Sequence, residues 1–147
     1  MTTTGEPAVT STLAEISPND VATNSTANAF SYDIQATIGG SATGVDRVAI
    51  TVPGTFTVAA SPVTDVLVGG SSVAFTDNTS GNDISVDLTT KVTTSSKITV
   101  LFAADAPTTQ DLTGVDFTSN VDDSGSGGPA QATTEGNGDG DAGDANS

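Results

Sequence analysis

Residues 30–38 constrain the fold of this chain more than any other segment. Phe30, Tyr32, Ile34, Ala36 and Ile38 alternate with Ser31, Asp33, Gln35 and Thr37. Side chains that alternate with period two stand on opposite faces of a strand, so this segment has one dry face and one wet face. A helix would scatter the same five apolar side chains around its circumference. A half-buried strand cannot stand alone. Its backbone groups need neighbouring strands, and its dry face needs a second layer.

The rest of the chain supplies candidates for both. A strand is expected over 9–16, broken by the turn cluster Ser17, Pro18, Asn19 and Asp20. The central strand is expected over 27–38, ended by Gly39 and Gly40. Val48, Ile50 and Val52 alternate, Pro53-Gly54 turns, and Phe56 and Val58 begin a short run. Val66 and Val68 lead into Gly69, Gly70, Ser71 and Ser72, and Val73 and Phe75 lead away, which predicts a hairpin with a four-residue loop. A loop is expected over 77–82. Ile84, Val86 and Leu88 form one further alternation, and Ile98, Val100 and Phe102 form another. A hairpin is expected between Lys91 and Lys97. Val115, Phe117, Ser119 and Val121 make the last strand. With a turn signal about every ten residues, the pattern predicts an all-β, two-sheet antiparallel sandwich, immunoglobulin-like or a related Greek key. Cysteine and tryptophan are absent, so the usual immunoglobulin landmarks do not fix the strand order.

Hydrophobic residues make up 35% of the chain, against about 45–50% in ordinary globular proteins. The shortfall lies at the C-terminal end. The chain therefore divides into a loose N-terminus (1–7), a β-sandwich (8–121) and an acidic Gly/Asp-rich tail or connector (122–147). That last stretch holds no large apolar residue, and alone it is expected to stay disordered.

Composition also excludes chemistry. Without histidine or cysteine there is no ordinary general base near neutral pH, no thiolate nucleophile and no soft metal site. Lys91 or Lys97 could act as a base, or join an asparagine in an amide cross-link, only if desolvated. One tyrosine and no tryptophan leave little for a sugar to stack on, so carbohydrate is a poor fit. A net charge of −15, from 18 acidic and 3 basic residues, argues against nucleic acid and against an anionic membrane surface. No apolar run approaches the roughly 20 residues of a membrane span. Met1-Thr2-Thr3-Thr4-Gly5 is not a signal peptide. The expectation is a mature or excised segment of an extracellular or cell-surface protein, and not an enzyme. Asn24-Ser25-Thr26 and Asn78-Thr79-Ser80 match the glycosylation acceptor pattern, which arises easily by chance in a Thr-rich chain.

The acid excess has one sharp reading, calcium. Asn137, Asp139, Asp141 and Asp144 carry oxygen side chains in a Gly-rich loop, which suits Ca²⁺. The opening Asn-x-Asp-x-Asp resembles an EF-hand loop, but Ala142 replaces its glycine and no closing glutamate follows. A flexible acidic linker is the competing reading. Asp122 and Asp123, after the last strand, are a second candidate pair, and Asn19-Asp20 a third.

Three stretches, 48–56, 97–107 and 117–125, resemble the tandem immunoglobulin-like repeats of large secreted and surface proteins of microbes. The resemblance implies a passive module that spaces, stiffens or self-associates, often with calcium at its junctions. Its partners would be neighbouring copies or adjacent domains. The alternative is a filament subunit whose segment 8–16 pairs with an open sheet edge on the next copy.

Overall fold

In a computed structural model of the protein, the dry face of residues 30–38 is covered as its alternation demands. The structure describes residues 8–18, 21–39, 44–109, 117–122 and 131–134. They form ten strands: β1 (Ala8–Ser17), β2 (Asn28–Gly39), β3 (Val45–Thr51), β4 (Val63–Val68), β5 (Ser71–Ser72), β6 (Phe75–Asp77), β7 (Asp83–Val92), β8 (Lys97–Ala104), β9 (Thr118–Asp122) and β10 (Gln131–Thr134). The fold is all-β, two antiparallel sheets packed face to face. The first sheet runs β1-β2-β8-β4-β5 and the second β10-β9-β3-β7-β6.

The chain crosses between the sheets at 39–45, 51–63, 72–75, 92–97 and 104–118. Two poles result. Ala8 pairs with Gly39, and the short connection to Val45 keeps both near one pole, the near pole. Ser17, Asn28, Thr51, Asp83, Ala104 and Thr118 lie at the other, the far pole. β1 also packs beside β9 and β10, which closes one flank of the sandwich.

The inward positions follow the sequence pattern. Phe30, Tyr32, Ile34 and Ala36 of β2 are buried, as are Ile98, Val100 and Phe102 of β8 and Ile84, Val86 and Leu88 of β7. Four phenylalanines gather toward the far pole. Phe30 stacks on Phe102, its partner across the strands, with ring centroids 5.5 Å apart. Phe117 lies 5.8 Å from Phe30, 5.6 Å from Phe56 and 6.4 Å from Phe102. Offset and edge-on rings at such distances attract one another beyond simple burial.

Several connections differ from expectation. Gly69 and Gly70, both at positive φ (58° and 88°), make a two-residue turn rather than a four-residue loop. Positive φ at both central positions gives the twist that matches two antiparallel strands. Ser71 and Ser72 pair back onto β4, and the chain then changes sheets. Phe75 joins β7 in the second sheet and does not return along β4. Phe56 and Val58 form no strand, only a bridge between Thr57 and Asp105. Lys91 and Lys97 do not flank a hairpin, because β7 and β8 belong to different sheets. Val115 lies outside the described residues. β10 falls within the stretch that composition set apart as a tail. It pairs with β9 from Gln131–Val121 to Thr134–Thr118 through the backbone, which needs no apolar side chain.

Gly44 precedes β3 at φ 148°. A β-carbon there would sit 2.6 Å from the Val92 carbonyl oxygen and 2.9 Å from Cγ of Lys91. The Lys91 stem can shift; the strand carbonyl cannot. Gly44→Ala is expected to destabilise the fold by about 1–3 kcal/mol, read as a lowered midpoint in urea unfolding.

Candidate functional site

The residues that could carry function lie on the outer faces, edges and poles of the sandwich. On the second sheet, one row crosses four strands. Asp122 of β9 stands opposite Arg47 of β3, Arg47 opposite Asp87 of β7, and Asp87 opposite Thr76 of β6. Arg47 Nε donates to Asp87 Oδ1 at 2.8 Å, and Asn78 Nδ2 donates to Asp87 Oδ2 at 2.8 Å. The hydrogen bond and charge of Asp87 raise the Arg47 pKa above its ordinary value, and the charges of Asp122 and Asp46 add to that. This row is exposed, with Arg47 and Asp87 side chains 45% and 38% accessible. It contributes cross-strand pairing worth a few tenths of a kcal/mol per pair.

That row decides the environment of Asp122. A cation there would share the carboxylate with a guanidinium already at its side. Asp123 and the set Asn137, Asp139, Asp141 and Asp144 lie outside the described residues. So do Asn19 and Asp20, whose flanking residues sit at the far pole, opposite Asp122. Among the described residues, no three acidic side chains converge as a metal site would require.

On the first sheet, Asp33 anchors a smaller group. Thr99 Oγ1 donates to Asp33 Oδ1 at 2.6 Å, and Lys97 Nζ lies 3.6 Å from Asp33 Oδ2. The Lys97 side chain is 51% exposed. It stands in the open beside a carboxylate, unlike the desolvated amine that base chemistry or an amide cross-link would need. Lys91 lays its stem over Gly44. Of the two glycosylation triplets, Asn78 has its amide engaged by Asp87, while Asn24 is exposed at φ 64° with Nδ2 donating to the Thr108 carbonyl at 3.4 Å.

Polar side chains of three further residues do work that the sequence did not single out. Asn82 Nδ2 faces the carbonyls of Pro53 at 2.9 Å, Phe56 at 3.0 Å and Val52 at 3.4 Å. One amide thereby ties the turn before β7 to the loop after β3. Asp105 Oδ1 accepts the Ala27 N–H at 2.7 Å and fixes that residue at φ 51°. Asp77 Oδ1 accepts the Thr79 N–H at 3.0 Å, and its Oδ2 reaches across to the other sheet to accept the Val63 N–H at 3.1 Å. The spacing Asp77-Asn78-Thr79 is that of an Asx turn, and it was the one available signal.

The fold has solved counterparts. The chain matches the full-length major pilin SpaD of Corynebacterium diphtheriae with a TM-score of 0.55 and 17% identity, over 87% of this chain and 33% of that one. It spans about a third of that pilin. Weaker matches are the 35 kDa C-terminal fragment of the major pilin GBS80 of Streptococcus agalactiae (TM-score 0.48, 8% identity, 86% of this chain and 53% of that one) and the pilus backbone RrgB of Streptococcus pneumoniae (0.46, 10%, 80% and 30%). No protein-family model and no curated protein matches the chain. At 17% identity the likeness to SpaD bears on the fold alone, a β-sandwich.

Proposed function

We propose that this chain is a passive structural domain of an extracellular filament, a unit that spaces and joins its neighbours without catalysis. The observation that carries the reading is the course of the sandwich, which follows about a third of a major pilin over 87% of this chain. The missing histidine and cysteine support the non-catalytic part, and the acidic surface supports a domain kept hydrated and apart from other copies. Immunogold microscopy with an antibody raised against this chain tests it. Label at regular intervals along surface filaments is expected; label confined to the cell interior would refute it.

A filament built by exchange of residues 8–16 makes a separate demand. β1 pairs with β2 of its own chain from Ala8–Gly39 to Ser17–Ser31. Donation to a neighbour would require that ladder to open first.

Calcium forms a second part of the proposal and rests on the spacing of Asn137, Asp139, Asp141 and Asp144. Calcium at about ten times its Kd adds about 1.4 kcal/mol to the native state, raising Tm by roughly 3–6 °C. The full chain is expected to show that rise and a D139N/D141N variant to lose it. An unchanged Tm in the full chain would remove calcium from the reading.

A further inference from the structure

The outer edge of β4 shows how one flank of the sandwich meets other molecules. Val63 and Val66 turn their N–H groups away from β8, toward the flank where the first sheet ends. An edge strand with free N–H groups is a template for a strand from another chain. Here both groups are occupied. Asp77 Oδ2, reaching from the edge of the second sheet, accepts the Val63 N–H at 3.1 Å. Asp65 Oδ1 accepts the Val66 N–H at 2.9 Å, and Asp65 Oδ2 accepts the Ser72 hydroxyl at 2.6 Å. The carbonyl of Val66 is taken by the Val73 N–H at 2.9 Å, and Val68 pairs with Ser71. The strands that finish this flank, β5 and β6, are two and three residues long.

We infer that Asp65 and Asp77 are edge guards: their carboxylates seal the β4–β6 flank against strand addition by a second copy of this chain. A carboxylate suits the task twice over. It has no proton to donate, so it satisfies an N–H without presenting a donor of its own. Its charge also opposes the approach of a second acidic copy. An incoming strand would have to displace both carboxylates and leave them facing its own carbonyl groups. This inference stands independently of the filament reading.

The full chain carrying D65A/D77A tests it, with D83A/D111A as a control that removes the same charge elsewhere. Sedimentation is measured in about 1 M salt, where the Debye length falls to about 3 Å and general repulsion is screened. The wild type and the control are expected to remain monomeric. The D65A/D77A chain is expected to self-associate at least about tenfold more strongly, with an infrared signature of intermolecular β-pairing. Equal association of both variants, or none in D65A/D77A, would overturn the inference. Hydrogen exchange on the wild type is independent of whether the variant folds. The Val63 and Val66 amides are expected to exchange at least about tenfold more slowly than freely solvated amides, and unprotected exchange would likewise overturn it.

Discussion

Phe117→Ala is expected to lower unfolding stability by about 3–5 kcal/mol. Phe117 is fully buried, and its ring meets Phe30, Tyr32, Phe56 and Phe102. These neighbours come from β2, from the loop after β3 and from β8, so they cannot close over the void together. The cost combines lost transfer energy with a cavity term. A domain of this size has about 5–15 kcal/mol of stability in total, so the variant should show a much reduced urea midpoint. Phe117→Leu keeps most of the volume and should recover the greater part. Equal losses from Leu and Ala would mean that the ring contacts, and not the volume, carry the effect.

Asn82→Asp comes second, at about 2–4 kcal/mol near neutral pH. The Asn82 amide donates into a nest of three carbonyls from Val52, Pro53 and Phe56, all buried residues. An ionised carboxylate there has nothing to donate and sets an oxygen against those three carbonyls. Protonation restores one donor. The introduced carboxyl is therefore held neutral longer in the folded chain than in the unfolded one. Its deficit should narrow as pH falls through the carboxylate range and widen as pH rises. Asn82→Ala should cost less, about 1–3 kcal/mol, with no such pH dependence. Urea unfolding at pH 4 and pH 7 distinguishes the two; a deficit in N82D that does not change with pH would contradict the geometry.

The strands legible in the sequence were those with one wet face. β2, β7 and β8 each alternate over several residues, and each buries the side its alternation selects. Connections were less legible. Nothing in Lys91 to Lys97 tells whether the next strand returns in the same sheet or crosses to the other, since both choices bury the same positions. The change of sheet between Ser72 and Phe75 is hidden for the same reason. β10 escaped because composition reads side chains, whereas that strand is recognised by β9 through its backbone. Of the candidate calcium-binding residues, only Asp122 falls among those described, and its neighbour Arg47 became visible once pairing register was known. Register is a long-range property. The roles of Asp65, Asp77 and Asn82 depend on it as well, because each carries a side chain to backbone that is distant in sequence or at a sheet edge.

The two poles of the sandwich have a mechanical consequence. β1 begins at the near pole and β10 finishes at the far pole, and both run in the same direction along one flank. Tension applied at Ala8 and Thr134 would act along the strands and not across them. β1 would be drawn lengthwise against β2, so the bonds of that long ladder would bear load together in shear instead of peeling apart one at a time. β10 would be drawn along β9, to which it is joined by the four pairs from Gln131–Val121 to Thr134–Thr118, and past β1 at its side. The shorter ladder is the mechanical fuse: with four pairs against nine, it is expected to yield before β1 leaves β2.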